Sequence, residues 1–268
     1  MLELKAAIMG IVEGLTEFLP VSSTGHLILV QEWIGFDKAL GEDLAKTFDI
    51  FIQVGAILAV IVAYPDRFSS LVDVRLQTGF RGIRGIGLLI CTSLPAMAVG
   101  FAARGWIKQH LYQSTAVAVG LIAGSLWILW TEWRRPVART EGLDGLQWRQ
   151  ALGIGLFQCL ALWPGVSRSA ATILGGMLLG VHRKTATEYS FFAAIPVLGA
   201  AAAYEMLKSF HHIHSAHAIL FGIGLAVSFA SALAAVKWLL HYVGGHSFSG
   251  FAWYRLALAA IVLLFAVI

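Results

Sequence analysis

A chain of 268 residues that is 58% hydrophobic and 13% charged, with a mean hydropathy of +0.77, is too apolar for a soluble domain, in which roughly a quarter of residues are charged. It reads as an all-α polytopic membrane protein, residues 1–268 forming a single integral membrane domain. The net charge of +4 and pI near 9.2 rest on 19 basic residues scattered through short connections, a distribution that excludes a nucleic-acid-binding patch.

The first 18 residues lack a basic start and a small-residue cleavage site and carry Glu3, Glu13 and Glu17, so they are expected to stay in the mature protein. Residues 1–18 and 24–35 have helical patterns separated by Pro20, a helix terminator. Neither piece reaches the ~20 residues that cross a bilayer core of ~30 Å. Together they predict a re-entrant hairpin. Six apolar segments long enough to span follow, at about 47–64, 86–103, 114–131, 187–207, 216–240 and 251–268. Between the third and fourth, 146–180 again holds two short helices, broken at Pro164-Gly165. Cys91 and Cys159 lie far apart in apolar sequence and read as packing residues.

The halves match at a fixed offset of 145: Gly10/Gly155, Leu15/Leu160, Val21/Val166, Ser22/Ser167, Ile28/Ile173 and Leu29/Leu174 are identical. An inverted-topology repeat is the expectation, with one half at about 1–135 and the other at about 146–268, each one hairpin plus three spans. The hairpins should then meet near mid-membrane. In this topology twelve basic residues fall on one side, among them Arg67, Arg134, Arg183 and Arg255, against six on the other, which places the first hairpin's mouth outside the cytoplasm.

Two stretches concentrate polar chemistry. In Glu13-Gly-Leu-Thr-Glu17-Phe-Leu-Pro20-Val-Ser22-Ser23-Thr24-Gly25-His26, the two acids share a helix face one turn apart, where like charges call for a cation or a shared proton. Ser22, Ser23 and Thr24 are N-cap residues, and the helix start they introduce attracts anions. In Trp163-Pro164-Gly165-Val166-Ser167-Arg168-Ser169-Ala-Ala-Thr172, Arg168 is the only basic residue that the topology puts inside the membrane. A charge there needs a partner, and a guanidinium fork suits a phosphate or a carboxylate. An ion pair from Arg168 to Glu13 or Glu17 that merely ties the hairpins together is the plainer reading.

These two motifs, with Ala45-Lys-Thr-Phe-Asp49 leading into Gln53, resemble the undecaprenyl pyrophosphate phosphatases of the bacterial bacitracin-resistance type, and the likeness extends along the whole chain. The resemblance implies removal of one phosphate from a long-chain isoprenyl diphosphate lipid, recycling the carrier for peptidoglycan synthesis and conferring bacitracin resistance. It further implies a multi-pass protein of the bacterial inner membrane, an active site open to the periplasmic face, and help from a divalent cation. Family roles fall on Glu13, Glu17, Ser23, His26 and Arg168.

The residues support a matching assignment. Ser23 is the expected nucleophile, His26 and Glu17 an acid–base pair, Arg168 the clamp, and Glu13 with Glu17 the holders of Mg²⁺ or Ca²⁺. Ser22, Thr24, Gly165, Ser167, Ser169 and Thr172 are expected to bind phosphate. Attack by metal-bound water, with Ser23 only binding phosphate, is the other route. The rival class is an isoprenyl-phosphate flippase, which shares inverted repeats with broken helices but has no need of a hydroxyl beside acids. Ser23-Thr24-Gly25-His26 is similar to the middle motif of type-2 phosphatidic acid phosphatases, yet their last motif would put histidine where this chain has Leu174. Asp49 and Gln53 are expected to support the site, Asp144 to be solvated, and His211, His212, His214 and His217 to sit in a solvated loop. A homodimer is left open.

Overall fold

The computed structural model describes all residues except 74, 112, 210–216 and 268, together with all side chains in that set except those of 108 and 265–267. Its described residues form helices joined by turns. In chain order these are α1 (Leu2–Thr16), α2 (Ser23–Ile34), α3 (Phe36–Leu40), α4 (Glu42–Ala63), α5 (Pro65–Val72), α6 (Gly82–His110), α7 (Ser114–Arg134), α8 (Trp148–Gln158), α9 (Arg168–Leu178), α10 (Arg183–Ser209), α11 (Ala218–Tyr242) and α12 (Ser249–Val267). Five of them, α4, α6, α7, α10 and α11, are long and apolar enough to cross a membrane, and α12 is apolar over Ser249–Leu264.

Both broken pieces form as the sequence predicts. α1 ends at Thr16, and the turn through Pro20 leads into α2; α8 runs into a single 3₁₀ turn, Cys159–Leu162, before α9 begins at Arg168. The span helices shift by a few residues from their expected bounds, and α6 is lengthened most, because its helical pattern continues through Pro95 and into polar flanks. The short helices α3 and α5 are additions. α3 follows Gly35, whose φ of 60° suits a glycine and ends α2, while α5 has Pro65 in its first turn, where a missing N–H costs nothing. His211, His212 and His214 lie outside the described residues.

The short helices pack by backbone approach. α1 lies along α11, and a Cβ added to Gly10 would sit 2.6 Å from the Gly224 carbonyl oxygen, while Ser231 donates to the Gly10 carbonyl at 3.2 Å. In the second half α8 lies along α6, with Gly155 pressed on the Thr92 carbonyl. Small residues that admit close helix contact are the usual adhesive where lipid removes the hydrophobic drive between helices. The two turns that interrupt the short helices are thereby brought together, and Ser169, in the first turn of α9, donates to Leu19 O of the first interruption at 2.8 Å.

Asp144 lies exposed in the linker, as expected, but it is bonded there rather than free. Its carboxylate accepts from Phe80 N–H at 2.8 Å and from Arg67 at 3.1 Å, with Arg81 4.0 Å away. Its slight burial would push the carboxyl up, but the Phe80 N–H and the Arg67 and Arg81 charges outweigh that and hold it below its ordinary value. A depressed carboxyl stabilises the fold above its unfolded pKa and ceases to do so as pH falls through the folded one. The pair is substantially exposed, and such pairs contribute ~0.2–1 kcal/mol. Asp144→Asn should therefore lower the thermal midpoint in detergent by a few degrees at pH 7, and the gap should close as pH falls below the ordinary carboxylate value of 3.8. An unchanged gap at low pH would rule out the ionic contribution.

Candidate active site

The two turns enclose a cavity of about 120 Å³ whose walls include Glu17, Ser22, Ser23, Thr24, Gln53, Gly165, Ser167 and Arg168. Each turn closes with a serine in a backbone conformation that side chains rarely adopt: φ is 73° at Ser22 and 76° at Ser167. Both are N-caps. Ser22 Oγ accepts from Gly25 N–H at 3.4 Å and Ser167 Oγ from Ala170 N–H at 3.2 Å. The remaining amides of α2 and α9 are left at helix starts beside one cavity, the arrangement that favours an anion.

Glu17 is the hub. Ser23 Oγ donates to its Oε2 at 2.6 Å, and Arg168 Nη2 donates to its Oε1 at 3.0 Å. One carboxylate thus holds both the hydroxyl and the guanidinium. The other nitrogen of the fork, Nη1, donates to the Ser190 carbonyl at 2.9 Å, and the guanidinium carbon lies 5.7 Å from the centre of the Phe18 ring. Arg168 is held from two sides and is positioned before any ligand arrives. Gln53, expected only to support the site, lines it. Asp49 accepts from Gln31 Nε2 at 2.8 and 2.7 Å, joining α4 to α2.

Glu13 lies one turn before Glu17, fully buried, with both carboxylate oxygens lacking a hydrogen-bond donor. A buried carboxylate in that condition is costly unless a cation or a proton attends it. Among the described residues no group of three or more His, Cys, Asp and Glu side chains gathers to hold a metal. Two protein carboxylates with the rest of the shell from water and phosphate is nonetheless the ordinary way to hold Mg²⁺, and the orphaned Glu13 fits it.

Four expected site residues do not line the cavity: the buried Glu13, and His26, Ser169 and Thr172. His26 Nδ1 bonds the Ser22 carbonyl at 2.7 Å and Nε2 bonds Tyr254 Oη at 2.6 Å, with the two rings stacked 5.5 Å apart. It faces a second, apolar cavity of about 320 Å³ bounded by Leu15, Leu19, Trp238, Phe251 and Tyr254. Helical spacing puts His26 near Ser23, but the turn carbonyl and a tyrosine from α12 claim both ring nitrogens. Ser169 and Thr172, expected to bind phosphate, are buried and engaged elsewhere: Ser169 with Leu19 O, and Thr172 with Arg168 O at 3.0 Å and Ser190 Oγ at 2.7 Å. They brace the turns and the helix that carries Arg168.

One residue escaped the sequence reading. Arg255, counted there among the basic residues outside the membrane core, is completely buried between the two turns. Its position near the end of an apolar segment gave no sign of this. Arg168 is therefore not the only arginine in the interior.

The model of the bacitracin resistance protein BacA family matches residues 6–261. The chain belongs to the BacA family. Curated relatives are similar over nearly their full length. One from Nitratidesulfovibrio vulgaris (strain DP4), named undecaprenyl-diphosphatase, is 53% identical over 260 residues, 97% of each chain. Another of that name from Oleidesulfovibrio alaskensis is 52% identical over 265 residues, 98% of each. A third from Acidovorax ebreus is 49% identical over 267 residues, covering 99% of this chain and 96% of its own. In this BacA-family chain both sequence motifs converge on the Glu17 hub.

Proposed function

We propose that the chain hydrolyses undecaprenyl diphosphate to undecaprenyl phosphate and inorganic phosphate, the activity for which its relatives are named. The observation that carries this is Glu17, bound at once to Ser23 Oγ at 2.6 Å and Arg168 at 3.0 Å. A flippase needs an anion cradle, not a hydroxyl paired with a base.

Ser23 Oγ attacks the terminal phosphorus as its proton passes to Glu17 Oε2, and lipid monophosphate leaves. Glu17 passes that proton to the departing monophosphate, takes another from the water that attacks the phosphoserine, and returns it to Ser23 Oγ as the Ser23 oxygen–phosphorus bond breaks and inorganic phosphate leaves. Arg168 and the amides opening α2 and α9 neutralise charge on the phosphoryl oxygens. Glu13, with a share of Glu17, would hold a divalent cation, Mg²⁺ or Ca²⁺, which would supply further positive charge to the phosphates. His26 fixes the Ser22 turn through its Nδ1, and Ser22, Thr24, Gly165 and Ser167 form the phosphate wall.

The architecture follows the same reading. α12, at 19 residues, is about 28 Å long and serves as a sixth span. The halves form an inverted repeat, a reading supported by the equivalent serines at φ 73° and 76° and by the glycine contacts of α1 on α11 and α8 on α6. With Arg255 removed from the tally the basic residues still divide eleven against six, which favours a periplasmic mouth in a bacterial inner membrane. The chemistry as drawn uses the residues of one copy.

The test is phosphate release from C55 isoprenyl diphosphate by purified protein in detergent, with acid quenching to trap labelled phosphoserine. Release that requires Ser23 and passes through a serine-linked phosphate is expected. Release unchanged by Ser23→Ala would transfer the attack to water, and no release by folded protein with cation supplied would overturn the phosphatase reading.

A further inference from the structure

Arg255 on α12 is fully buried; its two terminal nitrogens donate to backbone carbonyls, and its Nε has no hydrogen-bond partner. Nη1 donates to Pro20 O at 3.0 Å; Nη2 donates to Gly165 O at 2.8 Å and reaches Gly120 O and Leu121 O, both at 3.4 Å. Among the described residues it has no carboxylate within ion-pair distance. A buried cation without a counter-anion is costly. What it acquires for that cost is specific: Pro20 belongs to the first turn and Gly165 to the second, and neither carbonyl has a helix to bond into. A planar fork with several donors can serve both at once, which an ammonium cannot.

The surroundings are shaped to admit the fork. A Cβ added to Gly124 on α7 would lie against the guanidinium, with Cζ at 3.0 Å. Gly165 has φ 95°, and a Cβ there would meet Leu121 N at 2.9 Å, so the second turn is already pressed onto α7. Arg255 closes the assembly by tying the first turn to the same place. Its immediate neighbour Tyr254 bonds His26, which in turn bonds Ser22 O, so consecutive residues of α12 hold the first turn at two points.

We infer that Arg255 is a positioning residue of the active site: it sets the separation of the two turns and thereby aligns Ser23 and Glu17, from one, with Arg168, from the other. It lies behind the Gly165 wall and acts on substrate only through these groups. Positioning affects the attack more than the attraction of a diphosphate, so turnover should suffer before substrate affinity.

This inference rests on the phosphatase reading, and the parent protein keeps the two separable: a parent without phosphate release fails that reading, whereas an active parent with unaffected variants fails this one. Arg255→Lys keeps the charge and loses the fork. Its kcat per folded molecule should fall at least tenfold while KM for the isoprenyl diphosphate stays within threefold. Gly124→Ala keeps Arg255 and displaces its fork, and should lower kcat three- to tenfold, again with little change in KM. Folded protein is scored by monodispersity and helical circular dichroism. If Arg255→Lys does not fold, Gly124→Ala decides. Parental kcat with only a lower melting point, or a raised KM at parental kcat, would overturn the positioning role.

Discussion

Glu17→Gln is expected to reduce phosphate release by about 10³-fold while leaving the helical content of the protein intact. The carboxylate accepts from Ser23 with one oxygen and from Arg168 with the other. An amide has only one oxygen. Turned toward Arg168, it presents its NH₂ to Ser23 and no base remains; turned toward Ser23, it opposes its own donors to the guanidinium. Loss of a general base typically costs ~10²–10⁴ in rate. The assay is turnover of the purified variant on isoprenyl diphosphate, with cation titrated to separate base from ligand effects. A variant within threefold of the parent at saturating cation would deprive Glu17 of the base role.

Arg168→Lys separates charge from geometry. The two terminal nitrogens of the guanidinium reach in different directions, Nη2 to Glu17 and Nη1 to the Ser190 carbonyl, and a lysine ammonium can meet only one of them well. Removing a donor aimed at developing charge costs ~10²–10³ in turnover, so a fall of that size is expected, with the melting point in detergent within a few degrees of the parent. The opposite pattern, an unstable protein fully active per folded molecule, would make Arg168 a staple between turns, and the phosphate clamp would have to be abandoned.

Much of this was legible in the residues. Pro20 and Pro164-Gly165 announce the interruptions because proline ends helices and glycine admits a left-handed turn, and the structure breaks its short helices there. The clustering of Glu17, Ser23 and Arg168 followed from the cost of polar groups in apolar sequence. What could not be read was orientation about a helix axis once partners arrive from afar. His26 turns to Tyr254, 228 positions away, and Arg255 to Pro20, 235 positions away. Thr172 is claimed by the carbonyl of Arg168 four residues back, a local bond that hydroxyls in helices often make. Arg255 stayed hidden for a further reason: its terminal nitrogens bond backbone carbonyls and not an acid, so no charge pattern betrays it.

The two serines at φ 73° and 76° set stability and turnover against each other at those positions. Such a backbone costs roughly 1–3 kcal/mol in a residue with a Cβ, and glycine would relax it while forfeiting only a few tenths as an N-cap. Selection for heat resistance alone would therefore drift toward glycine at 22 and 167. Glycine, however, would also loosen the two turns and remove both hydroxyls from the cavity wall. The tension stored in these turns keeps the reacting groups at a fixed pitch, and a hardier protein obtained by releasing it would be a slower one.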